Sequence, residues 1–312
     1  MRKNGVFTLP TLQQFNSEDI VLEILLKRSS IYFDRIILSE SIPTNFKFSK
    51  ILAHNLTGAL VPLIKQRLSN DFANSSNFNE IFTSTKEYDD LFNLVKEQQR
   101  SVKSPLVSED HLKNFIKCVS SFPSKSSNHQ ARQFEILLNL DNIYNDHLLY
   151  ENLSKYLPDY SGILSPQMGT VLKNVLNINP LSLEKLVEII ASVQLFDFGQ
   201  LTWSNIMELR RSEFASSFRD KLEELFKDYY GVDSLEEVTM KIDEYIKDSK
   251  FKFIEAKYPN PKMTFLTGVL GTVNMPFSIF STIYDTAKDK SNNSKYSWLY
   301  FVNEGRKRSN YT

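Results

Sequence analysis

The sequence predicts a predominantly α-helical α+β fold with a few short strands, and three observations carry that expectation. Apolar residues recur at helical spacing along most of the 312 residues. One run near the amino end, IYFDRIIL (31–38), has the aromatic and β-branched density of a strand. Neither an internal repeat of roughly 20 to 50 residues nor sustained heptads are present, which removes solenoids and coiled coils.

Taken in order, the first helix starts at Ser17, whose hydroxyl can cap EDIVLEILLKRS, with acids in its first turn and Lys27 and Arg28 in its last. The strand 31–38 follows, and alternation places Asp34 on the side of Tyr32, Ile36 and Leu38. A second helix is expected over 49–69, interrupted by Pro62. Residues 70–85 hold so many Asn, Ser and Thr that they read as a surface loop. Helices at about 86–100 and 109–121 come next, and then SFPSKSSNHQ (121–130), whose Pro123 and serines make it the best internal boundary. The chain is thus expected to divide into an N-terminal α+β region, 1–122, and a mainly helical region, 131–312, with both free to pack as one unit.

Beyond the linker, 130–140 reads as helix and 141–162 as shorter helices ending near Pro158. Ser165-Pro166 opens a helix to about Leu176, and Ser182 opens another. The stretch 191–201 leaves helical spacing and reads as a short strand before Thr202 caps the next helix. The pattern from 203 to 230 is one long helix stopped by Gly231. Ser234 and Glu237 then make a capping box for a helix whose acid-before-base pairs, Glu237–Lys241, Asp243–Lys247 and Asp248–Lys252, mark a solvated face.

Composition excludes more than it assigns. The 37 basic and 37 acidic residues cancel, so net charge gives no indication of a nucleic-acid binder. The single Cys118 cannot close an intramolecular disulfide, and no signal-like segment opens the chain, so a reducing cytoplasm is expected. His54, His111, His129 and His147 are scattered, and CxxC, HExxH, GxxxxGK[ST] and GxGxxG are all missing. No metal site and no cofactor are therefore expected from local motifs. Sequons such as those at Asn55, Asn74, Asn152 and Asn310 would matter only after secretion.

Three features remain as candidates for function. Asp34 is a carboxylate in an apolar row and needs a cation, backbone N–H groups or a metal to hold its charge. With Asp89, Asp90, Asp141 or Asp146 as companions it would be catalytic, in a metal-dependent nuclease or phosphoesterase. Alone it is an edge-strand or salt-bridged acid. The 22 residues from Met263 to Tyr284 carry no charge, but Asn274 and Pro276 break them at the centre, so burial or a partner surface is favoured and membrane insertion disfavoured. The interaction residues would be Phe265, Leu266, Val269, Leu270, Met275, Phe277 and Phe280. Trp203, Phe214 and Phe218 alternate with Arg210, Arg211 and Arg219, either as phosphate or partner contacts or as core residues with ion pairs. The basic residues Arg306, Lys307 and Arg308 read as a fraying end.

The aromatic-Asp-x-Ile strand at Asp34, the W-x-x-I-x-x-x-R helix of Trp203, Ile206 and Arg210, and the Phe218-Arg219 pair resemble a loosely defined group of uncharacterised bacterial proteins, some associated with mobile or defence loci. The resemblance implies a bacterial, intracellular setting and transfers no activity. The leading expectation is a non-catalytic cytoplasmic interaction component, with a protein partner or a second copy bound through the 263–284 stretch. The alternatives are the Asp34 enzyme and a membrane-active effector acting through the same stretch.

Overall fold

A computed structural model describes residues 4–7, 19–38, 68, 70–83, 109–120, 159–164, 166–176, 183–193, 196–230, 232, 234–257 and 296–309. Helices dominate them, beside one small sheet. The chain divides into two units, Met1–Glu184 and Lys185–Thr312.

The first unit is built on strands β1 (Asn4–Phe7), β2 (Arg35–Leu38), β3 (Phe82–Thr83) and β4 (Tyr160–Gly162), in the order β3-β2-β1-β4. Every pairing is parallel, with Asn4 opposite both Arg35 and Tyr160, and Ile36 opposite Phe82. Parallel neighbours cannot be joined by a tight turn, and helix α1 (Asp19–Tyr32) supplies the crossover from β1 to β2. Such sheets are covered on both faces, and Val6, Phe7, Ile36 and Ile37 are all buried. Gly5 is required by packing, because a Cβ there would stand 2.6 Å from the Phe33 ring.

The helix before β2 runs longer than the sequence pattern suggests. Ser29 and Ser30 donate their hydroxyls to the carbonyls of Leu25 and Leu26, at 2.8 and 2.6 Å, so they stay inside α1 rather than ending it. Tyr32 is therefore helical, Asp34 lies in the bend ahead of β2, and the strand keeps only Arg35–Leu38. Asp34 therefore does not share a strand face with Tyr32. Leu22, Leu25 and Leu26 are buried on α1, each contributing about 1.5–3 kcal/mol.

The expected loop at 70–85 is ordered secondary structure. Helices α2 (Asn70–Ala73) and α3 (Ser76–Ile81) lead into β3. Polar residues outnumber apolar ones here, yet Phe72, Phe78 and Phe82 converge, with ring centroids 4.9 to 6.4 Å apart. Three aromatics bury enough area to outweigh the loop-like composition. Helices α4 (Glu109–Ser120) and α5 (Pro166–Leu176) pack together and follow the sequence pattern closely. The predicted linker 121–130 lies outside the described residues, and both α4 and α5 belong to the first unit.

The second unit holds most of α6 (Leu183–Val193), then α7 (Trp203–Arg211), α8 (Ala215–Tyr229), α9 (Leu235–Lys257) and α10 (Ser297–Ser309). No strand forms over the described part of 191–201. Residues 198–200 are a turn. The long helix expected from 203 to 230 is broken at Ser212, which adopts an extended conformation, φ −64° and ψ 147°. Thr202 caps α7 as expected: its hydroxyl accepts the Asn205 N–H at 3.2 Å, while its own N–H donates to Asn205 Oδ1 at 3.0 Å.

Helix α10 is the core of this unit, against its reading as a fraying end. Trp298 through Asn303 are buried without interruption, so the helix is covered on all sides. Aromatic pairs account for the cover. Phe218 stacks on Phe301 at 4.4 Å, Phe214 on Tyr300 at 5.1 Å, and Tyr245 on Trp298 at 5.9 Å. Gly305 lets the 196–201 segment close in, since a Cβ there would lie 2.4 Å from the Phe196 ring. Arg308 of α10 pairs with Glu208 of α7.

Candidate functional site

Asp34 stands half-buried at the amino end of β2. The sheet brings a second acid to the same edge. Asp159 directly precedes β4, and its carbonyl accepts the Asn4 N–H at 2.7 Å. Since β1 separates β2 from β4, the two acids flank it at about 10 Å, two strand spacings. Nothing in the spacing of 34 and 159 announces this; it follows from β4 pairing with β1. Among the described residues no group of three or more His, Cys, Asp or Glu could hold a metal ion. The companions considered for Asp34, namely Asp89, Asp90, Asp141 and Asp146, lie outside the described residues.

The aromatic and basic residues of α7 and α8 divide by face. Trp203, Ile206 and Phe218 are buried, and Phe214 is stacked on Tyr300, so none offers a free ring to a base. Arg211 is exposed, whereas Arg210 and Arg219 are half-buried, and all three have interaction partners. The seven interaction residues proposed between Phe265 and Phe280 lie outside the described residues. No described helix is long and apolar enough to cross a membrane.

Two places were not singled out by sequence reasoning. The first is the end of the α8–α9 hairpin. Tyr230 is 70% exposed and Met240 62%, two of the three large apolar side chains exposed among the described residues, with Ile116 on α4 the third. Tyr229 and Lys241 lie within electrostatic reach of each other, which puts the adjacent Tyr230 and Met240 at the same end of the hairpin. Phe226 backs the Tyr230 ring at 5.2 Å, and Lys241 is paired with Glu237 at the rim. Farther along, the Lys221 ammonium sits 4.5 Å over the Tyr245 ring and 2.6 Å from Glu224, which fixes the two helices side by side. All three expected pairs on α9 form, Asp243–Lys247 at 2.5 Å and Asp248–Lys252 at 2.7 Å among them.

The second place is polar and internal. Lys250 on α9 is largely buried, and burial together with the nearby Arg306 guanidinium pushes its ammonium down to about 8. Burial also lowers Arg306. Asn303, one turn before Arg306 on α10, is 3% exposed, and neither its Oδ1 nor its Nδ2 has a hydrogen-bond partner among the described residues. In the first unit, by contrast, burial raises the Cys118 thiol and a hydrogen bond from Asn174 only partly opposes it, so the thiol stays protonated and weakly nucleophilic.

The chain matches no family model, no curated protein and no solved structure.

Proposed function

We propose that this chain is a non-catalytic interaction component, which binds a protein partner or a second copy of itself. The observation that carries the reading is the pair of large apolar side chains held in solvent at the end of the α8–α9 hairpin, Tyr230 and Met240. Tyr and Met are enriched in the buried centres of protein interfaces, where a polar rim excludes water around them. Here Lys227, Asp228, Glu236 and Glu237 supply exposed charges on the flanking turns. The hairpin is a firm support, because both helices lean on the aromatic core around α10. The uncharged 263–284 stretch remains part of the proposal as a second apolar surface. A bacterial cytoplasmic setting, in a defence or mobile-element system, is what the resemblance at Asp34, Trp203 and Arg210 implies.

The test replaces Tyr230 by Ser and Met240 by Glu together. Sedimentation and affinity capture from a bacterial lysate should show association by the wild-type chain and loss of it in the variant, with an unchanged melting temperature. A wild-type chain that is strictly monomeric, and that captures the same proteins as the variant, would overturn the reading.

A second reading is favoured by one observation, the placement of Asp159 and Asp34 at the same end of the sheet, on either side of β1. It is a metal-dependent nuclease or phosphoesterase with Asp34 as its first carboxylate. Parallel sheets place their chemistry at the carboxyl ends of the strands, and both acids sit at the amino ends, which weighs against it. Mg²⁺- or Mn²⁺-dependent hydrolysis of a chromogenic phosphodiester, abolished by Asp34→Asn, would establish it over the first reading.

A further inference from the structure

We propose, on the interaction reading above, that the exposed end of the α8–α9 hairpin receives a cationic amphipathic helix of another protein. Asp228, Glu236 and Glu244 would hold its charges, and Tyr230 and Met240 its apolar face. Helical spacing puts Glu236, Met240 and Glu244 on one stripe of α9, and all three side chains are exposed. An apolar side chain held in solvent is thus bracketed by a carboxylate one turn to either side.

Chain geometry brings Asp228 and Tyr230 to the same end. The Lys221 ammonium lies 4.5 Å over the Tyr245 ring, so α8 and α9 meet there. Were they parallel, the last residue of α8, Tyr229, and the first of α9, Leu235, would lie about 27 Å apart along the axis. The chain from 229 to 235 spans about 20 Å at most. The helices are therefore antiparallel, and Tyr229 is level with Glu237, beside the first turns of α9.

The cations of this surface are engaged by their own helices: Lys227 with Glu223 at 3.5 Å, Lys241 with Glu237, and Lys247 with Asp243 at 2.5 Å. Asp228, Glu236 and Glu244 have no ion pair among the described residues. Glu236 is accounted for by the first turn of α9, where a helix favours an acid. Asp228 is not, because it stands in the last turn of α8, where the free carbonyls disfavour negative charge.

Exposed apolar groups among uncompensated acids select the occupant. Nucleic acid and anionic lipid are repelled. A second copy docked symmetrically about Met240 would set Glu236 and Glu244 of each chain against the same acids of the other. A helix with an apolar face and Lys or Arg two turns apart covers the methionine and reaches both glutamates, which stand about 12 Å apart along α9.

The probe is a fluorescent helical peptide of leucine and lysine, titrated onto the full chain and followed by anisotropy, with its leucine and glutamate counterpart as control. The lysine peptide should bind, more weakly as salt rises, and the glutamate peptide should not. Glu236→Gln and Glu244→Gln should each weaken binding about threefold, and together about tenfold. Met240→Ser should weaken it about tenfold. Glu213→Gln, just before α8 and so at the far end of that helix from Asp228, is the charge control and should leave affinity unaltered. No binding by the wild-type chain, equal binding of the glutamate peptide, or an equal loss in Glu213→Gln would each overturn the proposal. The interaction reading fails separately: an association abolished by Tyr230→Ser with Met240→Glu, yet spared by Glu236→Gln with Glu244→Gln, would keep that reading and overturn this one.

Discussion

The two units bury polar side chains in opposite ways. In the first, Ser29 and Ser30 are fully enclosed on α1 and satisfied within one turn of their own helix, by the carbonyls of Leu25 and Leu26. In the second, Asn303 is nearly as enclosed on α10, and its amide finds no partner among the described residues. A hydroxyl on a short arm can always turn back to the carbonyl four residues earlier; a carboxamide on a longer arm points away from its helix and depends on what faces it. The serines are thus explained by the helix that carries them, and the asparagine is not. Lys27, enclosed on the same α1, follows the first pattern, since Glu23 reaches it at 3.0 Å from one turn away.

The largest effect that would break the contrast is removal of the packing around α10. Phe218→Ala should cost about 3–5 kcal/mol in urea unfolding, because it empties the place stacked against Phe301. If the cost is below about 1 kcal/mol, α10 is not the tightly packed centre described.

Next comes the titration of Lys250, whose ammonium is held near 8 in the folded chain against 10.5 in the unfolded one. Below pH 8 both states are protonated and the folded state bears the whole penalty; above 10.5 neither is charged and the penalty is gone. Between those values the unfolded chain binds more protons, so this lysine makes stability rise with pH, by an amount on the order of 3 kcal/mol. Lys250→Met should be more stable than wild type at pH 7, and the gap should close as pH passes 10. A gap that is constant with pH would show that Lys250 is not enclosed as a charge.

A sharper comparison pairs the two kinds of buried polar group. Asn303→Leu should stabilise by about 1–3 kcal/mol, while Ser30→Ala should destabilise by about 1 kcal/mol or less. Opposite signs uphold the distinction between the units, and equal signs remove it. A comparably small effect lies at the surface: Thr202→Ala should cost about 1 kcal/mol through loss of the cap on α7.

Local signals carried the helices well. Thr202, Ser234 and the Ser165-Pro166 pair mark starts that hold within a residue, because caps and helical pairs involve only neighbours. The failures share a cause in contacts between distant residues. Aromatic convergence of Phe72, Phe78 and Phe82 ordered a stretch whose composition reads as loop. The partners at Phe214, Phe218, Tyr245 and Phe196 turned an apparent tail into a core helix. Candidate sites were less legible still. Asp34 was visible in the sequence but not its neighbour Asp159, and nothing in the local pattern at Asn303 or Lys250 distinguishes them from ordinary surface residues. A methionine and a tyrosine beside charged residues likewise give no hint of exposure until the hairpin places them.

The register of the sheet also sets a timetable. Asn4 finds its neighbour Arg35 early in synthesis, but its other edge waits for Tyr160. At about 5–20 residues per second, a ribosome needs on the order of ten to thirty seconds to deliver that strand. During the interval the nascent chain displays β1 with one open side, the arrangement that recruits strands from other molecules. Slowing translation between residues 38 and 160 would lengthen that interval.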